Sequence, residues 1–130
     1  MNKINFLSVT DVIKLHTTVI KIYGGLEGIR DKKLLESAIA QPKMTIFGQF
    51  ACKDIFQMAA ACCFHIAKNH PFIDGNKRTS LLITLTFLEK NGFRINKKVD
   101  LYNFMLDVAS SRISKEQIAE FLKNNTFKVE

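Results

Sequence analysis

The stretch HPFIDGNKRTSLL, residues 70–82, decides how the chain is read. It sets a histidine, an aspartate, a glycine, an asparagine, a lysine and an arginine within nine positions, then turns to leucine and isoleucine. Pro71 disfavours helical geometry at His70, so a preceding helix ends there. A following helix starts near Asn76, and its Leu81, Leu82, Ile83, Leu85, Phe87 and Leu88 cover most of the circumference. A helix apolar all round is expected to be buried. The start of a buried helix leaves N–H groups without partners and carries partial positive charge. Gly75 allows a tight turn and close approach of a ligand. Together these features make an anion site. Lys77 and Arg78 add full charges, Arg with a two-donor grip on phosphate. The Asn76 side chain can donate a hydrogen bond. Asp74 beside such a cradle suits Mg²⁺, which takes oxygens from carboxylates and phosphates. His70 can accept a proton from a hydroxyl, and Phe72 is expected to pin the loop in the core.

Each residue taken alone has a plainer reading. His70 can be a helix C-cap, Asp74 and Asn76 turn and cap residues, and Lys77 and Arg78 solvated charges. Their order between two apolar helices is what favours a site.

Working outward, most of the chain reads as helix. Ser8 and Asp11 form a capping box for a helix carrying Val12, Leu15, Val19 and Ile22 at helical spacing and ending at Gly24-Gly25. His16 is placed on that helix's polar side or edge. Asp31 caps KKLLESAIAQ, ended by Pro42, and Arg30 and Asp31 are read as a pair fixing the loop before it. Residues 43–52, KMTIFGQFAC, favour an extended backbone with a bend at Gly48. The next helix, from Asp54 to about Asn69, is small on every side at Ala59–Cys63, so neighbours can approach closely. FRINKK is a short connection, and DLYNFMLDVASS and SKEQIAEFLKNN are two more helices, the latter with Ser114 and Gln117 as a capping box. The expectation is an all-α chain, a compact single-domain bundle of about six helices over residues 1–130, with a short extended flap near residues 43–50.

Composition narrows the function classes. The N-terminal MNKINFLSVTD lacks the apolar run of a signal peptide, and no apolar stretch is long enough to span a bilayer, so a cytoplasmic protein without membrane contact is expected. Cys52, Cys62 and Cys63 are an odd count with two adjacent members, a poor disulfide framework. They are read as reduced, Cys62 and Cys63 as small packing residues. Cys62 and His65 share a helix face, but their spacing matches no zinc knuckle pair, and His65 is read as a packed or hydrogen-bonded histidine. Nineteen Lys and Arg against twelve Asp and Glu give +7. The charges are spread along the chain, so a solvated basic surface ranks above direct nucleic-acid binding.

HPFIDGNKR resembles the signature of the Fic/Doc family, His-x-Phe-x-Asp/Glu-Gly/Ala-Asn-Gly/Lys-Arg. YGGLEGIRDKKLLESAIAQP, residues 23–42, resembles the front segment of its Doc ("death on curing") branch. The resemblance implies the Fic/Doc fold and a nucleotide-dependent transferase. His70 would be the general base acting on a target hydroxyl, Phe72 the structural anchor and Asp74 the Mg²⁺ ligand. Gly75, Asn76, Lys77 and Arg78 would bind the phosphates of ATP. Residues 43–50, including Thr45, Ile46 and Phe47, would form the flap that docks the target as an added strand.

AMP-transferring Fic enzymes have Gly at the place of Lys77 and a second Arg at the place of Leu81. Doc-type proteins have the Lys and lack that Arg. Gly75 departs from this, being the Fic choice where Doc carries Ala. The implied function is a type II toxin that transfers the γ-phosphate to Ser or Thr of a translation elongation factor (EF-Tu) and so blocks translation. The self-inhibitory motif Ser/Thr-x-x-x-Glu-Gly/Asn is absent from the sequence. A separate antitoxin with an acidic amphipathic segment is therefore implied. The alternatives are a Fic-type AMP transferase and a non-catalytic basic helical binding module.

Overall fold

The chain was analysed as a computed structural model that describes residues 3–129; residues 1, 2 and 130 of the expected 1–130 unit lie outside the described residues. Six helices dominate: α1 (Val9–Tyr23), α2 (Lys32–Ala40), α3 (Ile55–Asn69), α4 (Asn76–Lys90), α5 (Leu101–Ala109) and α6 (Lys115–Asn124). Two short antiparallel ribbons complete it, β1 (Thr45–Ile46) with β2 (Gln49–Phe50), and β3 (Phe93–Ile95) with β4 (Thr126–Lys128). The expected all-helical bundle with an extended flap is what forms.

The bundle is built around α3, which packs against α2, α4, α5 and α6. Its buried Ala59, Ala60, Ala61, Cys63 and Ala67 leave little side chain between the backbones. At the α3–α4 contact, the Ser80 hydroxyl donates to the Cys63 carbonyl at 2.8 Å, and Thr84 donates to the Ser80 carbonyl at 2.7 Å. Phe87, Leu88 and Ile83 of α4 and Ile118 and Leu122 of α6 fill the rest of the core. Each such side chain contributes about 1.5–3 kcal/mol by leaving water. Burial pushes the Cys62 thiol up to about 12, as suits a packing residue rather than a nucleophile.

Local signals set the helix starts. Ser8 with Asp11 and Ser114 with Gln117 form reciprocal capping boxes, and Asp31, Asp54 and Asp100 each accept a backbone N–H from the first turn. The flap turns at Phe47 and Gly48, both with positive φ (52° and 78°), as a two-residue hairpin of the primed type requires.

Four expectations change. α2 ends at Ala40, and Pro42 sits buried inside a 3₁₀ turn, Gln41–Lys43, rather than outside the helical path; its fixed φ suits that turn. The buried face of α1 is Val12, His16, Val19 and Ile20, while Ile22 is 67% exposed. The face is rotated because α1 must cover the loop after α3. α4 is not buried all round: Leu81, Leu82 and Leu85 are only half-buried and line an open groove. FRINKK is not a bare connection, because its first residues pair with β4.

Candidate functional site

Residues 70–76 are brought together between the end of α3 and the start of α4. Asn69 is the last helical residue, and His70 takes the left-handed conformation (φ 47°, ψ 55°) that turns the chain away. A non-glycine residue there costs about 1–2 kcal/mol. Arg30 offsets that cost. Its Nε donates to the His70 carbonyl at 2.6 Å and its Nη2 to the Asn69 carbonyl at 2.7 Å. The backbone N–H groups of Arg30 and Asp31 both donate to the Pro71 carbonyl. Both residues thus hold the loop after α3, whereas the Arg30–Asp31 pair expected to fix the loop before α2 is replaced: the Asp31 carboxylate accepts from the Leu34 N–H at the head of α2.

The segment before α2 holds the loop further along. Ile29 and Phe72 form an isolated antiparallel bridge, and Ile73 N–H donates to the Gly28 carbonyl at 3.0 Å. Phe72 is 1% exposed and stacks face to face on His16, centroids 3.8 Å apart. His16 is therefore a buried residue under the loop, not a polar-side residue. Its Nε2 lies 2.8 Å from the Asp74 carbonyl oxygen.

The Asn76 carboxamide is committed within the loop. Its Oδ1 accepts from Phe72 N–H and its Nδ2 donates to the Phe72 carbonyl. The brace uses one of the two Nδ2 hydrogens, so the other and the backbone N–H remain to donate.

Asp74 is exposed. Its Oδ1 accepts from Gly75 N–H at 2.9 Å and its Oδ2 from Leu26 N–H at 3.2 Å. A carboxylate has about four acceptor positions, so oxygen lone pairs remain for a cation. Gly25 is required for this approach, since a Cβ there would stand 2.7 Å from Asp74 Oδ2 at φ +119°. One exposed carboxylate two positions before an uncapped helix start suits Mg²⁺ completed by ligand oxygens and water.

Gly75 (φ 76°) is the N-cap of α4 and supplies no side chain. Among the described residues, α4 is the one α-helix whose start has no side-chain cap. The first hydrogen bond from its N-terminal turn is Thr79 N–H to the Gly75 carbonyl. The N–H groups of Asn76, Lys77 and Arg78 are left pointing outward, where an anion gains both hydrogen bonds and the helix dipole. Lys77 and Arg78 are exposed, with the Arg78 guanidinium 3.9 Å above the Tyr23 ring. Both line one end of a groove of about 670 Å³ between α1, α4 and α5, whose walls include Ile22, Leu82, Leu85 and Tyr102.

The flap residues Thr45, Ile46 and Phe47 lie apart from this loop. Phe47 is fully exposed at the hairpin tip, and Ile46 shares a cleft of about 360 Å³ with Ala60 and Ala61 of α3. That is nine or ten positions before His70, about 15 Å of helix. His65 is a hydrogen-bonded histidine as expected: its Nε2 is 3.0 Å from Lys115 Nζ. Burial, together with the Lys115 ammonium, pushes its imidazole down to about 4.

Reading the sequence missed His16 and the loop-bracing role of Arg30. A histidine in the otherwise apolar series Val12–His16–Val19 was the signal for the first. For the second there was none, because its acceptors are backbone carbonyls forty positions away.

The fold and the loop define a helical bundle with an uncapped helix start between its two central helices. A sequence model of the Fic/DOC family matches residues 6–88. The chain is 36% identical over 103 residues to Toxin Doc of Mycolicibacterium smegmatis, covering 75% of this chain and 77% of that protein. It is 31% identical over 117 residues to Protein kinase doc of Escherichia phage P1, covering 90% and 92%. The chain belongs to the Fic/Doc family. Among the described residues no helix is long and apolar enough to cross a membrane.

Proposed function

We propose that this chain is the toxin of a toxin–antitoxin pair, a Doc-like protein kinase that moves the γ-phosphate of ATP to a Ser or Thr of a translation elongation factor, EF-Tu. The observation that carries the reading is the uncapped start of α4, with Lys77 and Arg78 in its first turn, Asp74 two positions before it and His70 at the far end of the six-residue loop. The relatives named Toxin Doc and Protein kinase doc support it.

In this reading the α4 N–H groups, Lys77 and Arg78 hold the phosphates. Asp74 holds Mg²⁺, which supplies charge neutralisation on the phosphate oxygens. His70 takes the proton from the target hydroxyl as its oxygen bonds to the γ-phosphorus. The bond from that phosphorus to the bridging oxygen breaks, and ADP leaves. Leu81, one turn into α4, puts no charge where a leaving β,γ-diphosphate would need one, so the terminal phosphoryl group is the one transferred. A target strand paired with β1 has to extend about four residues to bring its hydroxyl to His70. The groove between α1, α4 and α5, apolar with Lys77 and Arg78 at one end, fits an acidic amphipathic antitoxin helix. Gly75 is the feature that favours AMP transfer instead.

The test is mass spectrometry of a bacterial translation lysate incubated with the chain, ATP and Mg²⁺. A phosphate on Ser or Thr of EF-Tu, absent with His70→Ala, is the expected result. No modification by a folded chain would overturn the proposal, and AMP on the target would move the chain to the other branch.

A further inference from the structure

The mechanism above leaves one buried histidine unused. His16 is 3% exposed, lies flat on Phe72, and places Nε2 2.8 Å from the backbone carbonyl oxygen of Asp74. A carbonyl only accepts, so Nε2 carries the proton. Asp74 is then held at three points: its carbonyl from behind by His16, and its two carboxylate oxygens by the N–H groups of Leu26 and Gly75. The carboxylate contacts alone allow the peptide plane between Asp74 and Gly75 to tip. That plane orients both the carboxylate and the first turn of α4. A packing residue would need only the ring over Phe72; the aimed N–H is the additional feature. Gly75 keeps the plane close, since a Cβ there would meet Ile20 at 3.2 Å and His16 Nε2 at 3.8 Å.

We propose that His16 is a positioning residue, whose Nε2–H fixes the Asp74 peptide so that the carboxylate faces the metal of a bound Mg²⁺–nucleotide. The inference rests on the reading of Asp74 given under Proposed function.

The test compares the parent chain with His16→Phe, which keeps a ring over Phe72 without the donor, and His16→Gln, whose amide nitrogen is as many bonds from the backbone as Nε2. Calorimetry with a non-hydrolysable ATP analogue, with and without Mg²⁺, is run on chains whose ligand-free thermal unfolding shows them folded. His16→Phe should bind the Mg²⁺ form about tenfold more weakly, the scale seen when a group orienting a metal ligand is lost. Its metal-free nucleotide affinity should be unchanged, and His16→Gln should restore most of the loss. A ¹⁵N spectrum of the parent should show His16 protonated on Nε2. Equal Mg²⁺-dependent affinity in His16→Phe and parent, a loss that His16→Gln does not recover, or protonation on Nδ1 would overturn the proposal. A folded parent chain that binds no Mg²⁺–nucleotide would overturn the reading of Asp74, and this one with it.

Discussion

Arg30→Ala should loosen the loop without unfolding the bundle. The guanidinium makes two charge-assisted hydrogen bonds, to the carbonyls of Asn69 and His70, at the point where His70 turns left-handed. Each bond is worth about 1.5–3 kcal/mol where the charge is shielded, and less at an exposed residue such as this. About 1–3 kcal/mol for the two together is therefore a fair scale. The left-handed backbone costs about 1–2 kcal/mol. The two quantities are close, so without Arg30 the present geometry of His70 loses most of its advantage over an ordinary helix end. The contacts of Pro71, Phe72 and Ile73 with residues 28–31 are backbone bonds and survive the substitution. A shift of about 1.4 kcal/mol lowers the competent population about tenfold. Target modification should fall by that factor in kcat, with the thermal midpoint nearly unchanged. Amide exchange should accelerate at Phe72, whose N–H is held by the Asn76 side chain, and not in α6. Arg30→Lys should recover little, because an ammonium cannot fork between two carbonyls. Parent-like exchange and turnover in Arg30→Ala would refute the reasoning.

Gly25→Ala should weaken Mg²⁺–nucleotide binding measured by calorimetry, because the new Cβ would stand 2.7 Å from Asp74 Oδ2 in a backbone conformation that L side chains resist. Phe47→Gly should relieve about 1 kcal/mol of left-handed strain at the hairpin tip, raising the thermal midpoint slightly, while raising KM for the protein target and leaving nucleotide affinity unchanged. His65 stays neutral in the folded chain down to about pH 4, against about 6.5 when unfolded. Between those values the unfolded chain binds the extra proton, so the stability from neutral His65 is present above about pH 6.5 and is lost as pH falls toward 4. Urea midpoints across that window should drop in the parent and drop less in His65→Gln.

What could be read in the sequence was what neighbouring residues decide among themselves. Ser8 with Asp11 and Ser114 with Gln117 cap their own helices across three positions, and Thr45-Ile46-Phe47-Gly48 carries its own hairpin signal. The turn between α3 and α4 was legible for the same reason: Pro71 and Gly75 act within one short segment. The β3–β4 pairing joins Ile95 to Thr126 across two helices, and the strand preference of Phe93 and Ile95 does not name so distant a partner. The tilt of α1 was misjudged because helical spacing alone cannot choose between two apolar flanks. The Val12–His16–Val19 face won because Phe72 and the Asp74 carbonyl needed a partner there. Asn76 has a structural task that its residue type did not announce: its amide bridges both backbone groups of Phe72, four positions back.

The proposed transfer of the terminal phosphoryl group of ATP rests on Lys77 in the first turn of α4 and on Leu81, which offers no charge one turn on. It is tested most directly by incubating the chain and purified EF-Tu with Mg²⁺ and ATP labelled on either the γ- or the α-phosphate. The account predicts label on the target from γ-labelled ATP alone, and none from either nucleotide with His70→Ala. Label from α-labelled ATP would contradict it.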